Sequence, residues 1–377
     1  MIYLTFGDQP SGVYSSQVIE VCKHLEKSFH IRVKLIAFIS LRSFLSNRSK
    51  IKAQYKNSVV LPMFPKMRYW RFNLLTLSFI SAFNRKQSII ARNVIAMQLA
   101  LKLKKFSLAN KVCYDGRGAI AAEWNEYNVT PDEKLKSEIF KLEAISVKKA
   151  DFRISVSSQL ITYWADTFGY QSCEHVIIPC TSMNPEMGQK VIKDEARKKL
   201  NISANNKVLI YAGSVAGWQS FELVHNFLKP WLQKDTGNKI VFLSKEDKNI
   251  DSLKTEFPEQ IIQKWVSHQE VGSIMSAGDY GLLIREKSVT NRVSSPTKFA
   301  EYLAAGLPVL ISDGIGDYTD FVREHNCGII VNGNMPASLP EVSNDDQFRY
   351  KELVHNLFTK EAQNEKYKKV LKKLNEL

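Results

Sequence analysis

The sequence predicts an α/β protein of two Rossmann-like, doubly wound parallel-sheet domains facing each other across a cleft. Three observations carry this reading. The chain has 377 residues, and single hydrophobic cores stop growing well before that length, so two domains of ~150–200 residues are expected. Short apolar and β-branched runs alternate with longer amphipathic stretches, the signal of parallel α/β architecture. A break at 179–189, punctuated by Pro179, Pro185 and Gly188, reads as a linker, after which the alternation restarts. The expected division is 1–180, 181–345 and a Lys/Glu-rich helical tail, 346–377.

The elements follow in order. In the first half, apolar runs bounded by polar stretches predict strands at 1–6, 31–38, 57–61, 88–91, 111–114, 152–156 and 175–178. Helical periodicity falls near 14–28, 92–106, 134–149 and 157–168. After the linker, Asp194 to Leu200 runs from acidic to basic, the order a helix dipole favours. Strands are then expected at 208–212, 240–243, 261–265, 279–284, 307–311 and 328–331, with helices from about 218 and near 248–256. In such folds ligands sit beyond the carboxyl ends of the strands.

Composition excludes several classes. Hydrophobic content of 44%, with 17 Gly and 12 Pro, argues against disorder or low complexity. The longest apolar run, Leu74 to Phe83, is about half of what a spanning helix needs. The N-terminus reads as a first strand and not a signal peptide, so a cytoplasmic location is expected. Five scattered cysteines without a CxxC pair point to reduced thiols. No HxxH or HExxH spacing supports a metal site, and the nucleophile-elbow and P-loop motifs are absent.

The net charge is +14 and lies almost wholly in the first half: Lys27 to Tyr114 holds 18 Lys and Arg and no Asp or Glu. One side of the first domain therefore faces something anionic. Lys66 to Lys86 has basic flanks around an apolar centre, with Tyr69, Trp70 and Phe72 at one end, which is how a helix in a headgroup layer is built. An anionic membrane surface is preferred over nucleic acid, for which no helix-turn-helix, zinc-finger or stacking pattern is present. An ordinary core helix is the competing reading of 69–83.

The most informative stretch is Arg285 to Ile311. A buried strand leads into a polar loop, and then a helix is expected with Ser295 as N-cap and Pro296 at its first position. Its first-turn amides, with Thr297 and Lys298 beside them, suit a diphosphate. Glu301, one turn on, can accept two sugar hydroxyls. Gly213, Ser214 and Gly217 with Trp218 form a glycine turn between strand and helix that lets a phosphate approach the backbone. Gly12 follows the first strand in the same way. Asp115 and Arg117, set between Gly116 and Gly118 after a strand, should stand at the cleft edge, the first to orient an acceptor hydroxyl and the second to bind a phosphate.

Ser295 to Val309 resembles the nucleotide-sugar site of family 4 glycosyltransferases, in the variant SPTKFxEYLAxGLPV, and these enzymes have the GT-B fold. Val176 to Pro179 and Tyr211 to Trp218 are similar to the end of their first domain and the opening of their second. The resemblance implies that Glu301 holds the donor ribose, that the loop at Gly12 closes over the donor phosphates, and that the sugar is transferred with retained configuration. It implies a nucleotide-diphosphate sugar as donor substrate, no cofactor and no metal, because helix amides and basic residues neutralise the leaving diphosphate. A lipid-linked saccharide in bacterial cell-surface polysaccharide assembly is the expected acceptor, with the protein peripheral on the inner face of the membrane. Two positions depart from the family: Val293 stands where its first glutamate would be, and Ser214 and Gln219 where many members carry Arg and Lys. Lys298, Arg285 and Arg292 are the nearest remaining cations. A nucleotide-sugar epimerase of the same shape and a non-catalytic polyanion-binding protein are the alternatives.

Overall fold

The computed structural model describes residues 1–82, 86–182, 193–214 and 217–377, without the side chains of Trp218, His268 and Gln269. Most of the expected linker, 183–189, lies outside the described residues, as do Val215 and Ala216 of the glycine turn. The chain divides into two compact units: Met1–Cys180 with Val293–Ser295 and Lys360–Leu377, and Thr181–Arg292 with Pro296–Thr359.

Among the described residues the first unit holds seven strands, β1 (Ile2–Phe6), β2 (Lys34–Ile39), β3 (Ser58–Pro62), β4 (Gln87–Arg92), β5 (Ala109–Gly116), β6 (Phe152–Ser155) and β7 (His175–Ile177). They pair in parallel in the order β3-β2-β1-β4-β5-β6-β7. The second unit holds β8 (Lys207–Ala212), β9 (Asn238–Leu243), β10 (Ile261–Lys264), β11 (Tyr280–Leu283), β12 (Val309–Ser312) and β13 (Gly328–Val331), ordered β10-β9-β8-β11-β12-β13. Each sheet therefore reverses its strand order once, between β1 and β4 and between β8 and β11. Such a reversal splays the flanking loops and opens a crevice at the carboxyl edge. Every residue of β1 is buried, as a central strand covered on both faces requires.

Several helices escaped the sequence reading. Phe44–Gln54 buries only Ile51, so it carries no apolar stripe to find. Ile120–Glu126 and His268–Met275 are one to two turns long. The expected helix 14–28 contains a π-helical segment at Ser15–Ile19, and the helix expected from about 218 begins at Phe221 after a 3₁₀ turn. The expected tail, 346–377, is split. Helix Asn344–Leu357 buries Tyr350 and Val354 in the second unit's core. Helix Asn364–Lys373 buries Tyr367, Val370 and Leu371 in the first unit's core. Their i, i+3, i+4 spacing gives that helix one apolar face, which must be covered.

Candidate functional site

In the second unit, the loops after β8, β11 and β12 gather where the strand order reverses. A Cβ at Gly213 would lie 2.9 Å from the Tyr211 hydroxyl and would have to push it aside, and that hydroxyl donates to the Ser214 carbonyl (3.3 Å). Ser214 is exposed. Arg285, directly after β11, crosses to this turn. Its Nη2 donates to Gln219 Oε1 (3.3 Å) and its Nη1 to Asn291 Oδ1 (3.3 Å), while its backbone N–H donates to Ser312 Oγ (2.9 Å). The Glu286 amide donates to Ser220 Oγ (3.1 Å). Three loops are thus tied around one buried guanidinium. Gln219 thus holds a cation supplied by the neighbouring loop.

Asn291 is the keystone that the sequence reading passed over. It is wholly buried, its Nδ2 donates to the Glu286 carbonyl (3.1 Å), and its own carbonyl accepts from the Gly316 amide (3.2 Å). A buried amide side chain with its hydrogen bonds made fixes a loop that has little apolar content of its own. Arg292 is exposed at the end of the short helix Val289–Arg292, so of the three expected cations only Arg285 is drawn to the glycine turn.

The expected cap at Ser295 is corrected. The helix runs Thr297–Ala304 with Pro296 at the N-cap and no side-chain cap. The Ser295 hydroxyl instead accepts from the Cys180 amide (2.8 Å) within the first unit. A proline at the cap presets the entry backbone, while Thr297 and Lys298 bring their amides to an uncapped N-terminus, where the helix dipole favours an anion. Glu301 is 4% exposed. Its Oε2 pairs with Lys298 Nζ, and its Oε1 has no hydrogen-bond partner among the described residues. The helix is locked below by Tyr302, whose hydroxyl accepts from the Ala212 amide (2.8 Å) and donates to the Leu282 carbonyl (3.2 Å). Val293 is fully buried, and its carbonyl accepts from Ser157 Oγ (2.7 Å); no carboxylate stands at that position.

The first unit changes two expectations. Asp115, at the end of β5, is 0% exposed. The Tyr3 hydroxyl donates to its Oδ2 (2.5 Å), as does Arg117 Nη2 (3.1 Å), and Arg117 Nε stands 2.8 Å from Oδ1. Oδ2 takes both hydrogen bonds, Oδ1 has only the ion-pair contact with Arg117, and neither side chain is exposed, so Asp115 and Arg117 brace β1 to β5 and the loop that follows. A charge withdrawn from water must be paired in this way. Burial, and then the Asp115 carboxylate, raise the Tyr3 phenol well above its ordinary range. Gly12 does not make the turn after β1: it opens the helix Gly12–Tyr14, capped by Ser11. The left-handed residue is Gly7 (φ +80°). Beside it Asp8 is half-buried, 3.5 Å from Asn93 Nδ2, and burial raises its carboxyl pKa against the pull of Arg92. Asp8 is the carboxylate at this crevice that the sequence reading missed; its only sequence signal was its place just after β1.

Among the described residues no group of three or more His, Cys, Asp or Glu side chains could hold a metal ion, and no helix is long and apolar enough to cross a membrane.

Known structures share this fold. The chain is similar to HepE from Anabaena, solved in complex with UDP, with a TM-score of 0.72 and 13% identity over 99% of this chain and 100% of that one. Sucrose-phosphate synthase from Thermosynechococcus elongatus gives 0.71 and 13% over 100% and 99%. WaaG, a glycosyltransferase involved in lipopolysaccharide biosynthesis, gives 0.65 and 13% over 98% and 99%. No curated protein matches by sequence. Residues 210–374 match the family model described as glucosyltransferase 3-like, C-terminal domain. The chain has the GT-B fold, and the part of it that carries the glycine turn, Arg285, Lys298 and Glu301 is similar to the C-terminal domain of glucosyltransferase 3-like proteins.

Proposed function

We propose that the protein is a glycosyltransferase that moves a hexosyl group from a nucleoside diphosphate sugar to an acceptor hydroxyl, with retained configuration and without a metal. The observation that carries the reading is Glu301, a buried carboxylate with one oxygen held by Lys298 and the other left to a ligand, beside an uncapped helix start. A ribose offers two hydroxyls to that carboxylate. The amides of Thr297 and Lys298, the Lys298 ammonium and the Arg285 guanidinium would carry the diphosphate, and stabilising the departing charge this way needs no Lewis acid. Asp8 takes the role first given to Asp115, orienting the acceptor hydroxyl, for which a lipid-linked saccharide is the proposed class. The complexes of HepE with UDP and UDP-glucose make a UDP-sugar the first donor to try.

The test is thermal unfolding of the wild type and of Glu301→Gln with UDP, GDP, ADP, CMP and dTDP. A ligand at ~100 times its Kd adds about 2.7 kcal/mol to stability. One nucleotide should stabilise the wild type. Losing a charged hydrogen bond of about 1.5–3 kcal/mol should weaken its binding to Glu301→Gln by roughly 10- to 150-fold. No shift with any nucleotide would end the proposal, and restoration of a chelator-abolished transfer by magnesium would end its metal-free part.

A further inference from the structure

Between β3 and β4 the chain forms a 3₁₀ turn, Met67–Phe72, and a helix, Asn73–Ala82. Trp70, Asn73, Leu77 and Ser81 point inward and are buried, at the i, i+3, i+7 spacing of one helix face. The opposite face is apolar as well: Phe72 is 51% exposed, Leu75 73% and Phe79 67%. A helix on a soluble domain turns a polar face to water, and this one does not. At its start, Phe64 stacks on Phe72 with ring centroids 5.0 Å apart, and Arg68 lies 4.9 Å from the centre of the Tyr69 ring. Lys66, Arg68 and Arg71 are exposed around these rings, Arg71 being paired with Glu138.

We infer that this face is a docking surface for an anionic lipid bilayer, with Phe72, Leu75 and Phe79 entering the interface and Lys66 and Arg68 contacting headgroups. The inference deepens the lipid-linked acceptor reading by giving its partner surface, and it stands or falls separately from nucleotide binding. Charge complementarity selects the occupant. The segment lies inside the run from Lys27 to Tyr114 that has 18 basic residues and no acidic one, so the rim repels any cationic or like partner. A second copy meeting this face about a two-fold axis would set its basic rim against itself. A bilayer accepts both features at once, apolar side chains in the acyl boundary and cations at the phosphates. Val13, Leu41 and Leu45, in the segments that follow β1 and β2, are exposed apolar residues of the same unit.

Sedimentation of the full chain with vesicles tests this, using phosphatidylcholine alone and phosphatidylcholine mixed with phosphatidylglycerol. The wild type should partition onto the mixed vesicles and release as salt rises. Each well-placed basic residue is worth about fivefold in partition, so K66Q/R68Q should lose about 30-fold. F72S/L75S/F79S should lose at least about tenfold. K66Q/R68Q should unfold at the wild-type temperature, F72S/L75S/F79S a few degrees lower because it gives up the Phe64–Phe72 stack, and both should bind nucleotide as the wild type does. Absence of vesicle binding, equal binding to neutral vesicles, or a dimer in the ultracentrifuge that the triple substitution dissociates would each overturn the inference. Vesicle binding without nucleotide binding would instead leave it standing and sink the transferase reading.

Discussion

Replacing Tyr302 by Phe probes how the donor-site helix is held. The Tyr302 hydroxyl is the acceptor for the Ala212 amide at 2.8 Å and donates to the Leu282 carbonyl at 3.2 Å, joining the Glu301 helix to β8, one residue before Gly213, and to β11. The ring is 0% exposed, so water cannot enter to replace the lost hydroxyl. An orphaned buried N–H costs about 1–3 kcal/mol, and for a unit of this size that corresponds to roughly 2–12 °C in Tm. Urea unfolding followed by far-ultraviolet circular dichroism should show a lower midpoint at an unchanged slope. A companion, Gly281→Ala, drives a Cβ into the same ring, 2.5 and 2.6 Å from its Cδ atoms. Overpacking of that kind costs about 1–3 kcal/mol or more. If Tyr302→Phe unfolds at the wild-type midpoint, the hydroxyl is not the clamp, and the account of why Glu301 sits where it does is wrong.

Two further outcomes follow from the first unit. Asp115→Asn should cost about 3–5 kcal/mol, because it leaves Arg117 buried without its counter-charge, while nucleotide affinity of the folded protein stays unchanged; wild-type stability with abolished transfer would return Asp115 to a catalytic role. Glu143 is wholly buried and accepts from the Ile120 and Ala121 amides (3.3 and 2.7 Å), and burial lifts its pKa from 4.5 to about 8. The folded state therefore holds a proton that the unfolded chain has released between those values, so stability is fully present below pH 4.5 and falls as pH rises towards 8, by up to ~5 kcal/mol. Glu143→Gln should flatten that slope in unfolding measured across the window; an unchanged slope would mean that another group carries it.

Local pattern alone was enough for much of this protein. The two parallel sheets were legible because a central strand such as Leu4 or Ile210 writes its burial into its nearest neighbours along the chain, as an unbroken apolar run. The stretch Ser295–Val309 was equally plain, since a helix start and the residues three and four positions on share one short segment. The step in charge at Lys27 to Tyr114 needs only counting. What tertiary structure decided were the partners, which lie far apart in sequence. Asp115 looked like an edge carboxylate until Tyr3, 112 residues away, closed over it. Arg285 and Gln219, 66 apart, meet only because β8 and β11 are neighbours at the reversal of strand order. Ser295 gave up the cap it was expected to make because Cys180, 115 residues back, brings a buried amide that must be satisfied. The helix at Asn73–Ala82 is apolar on both sides, so its periodicity could not say which side faces water. Sequence carries the local preferences, but whether a polar group is paired or presented depends on which loops the topology brings together, and a one-dimensional pattern contains no term for that.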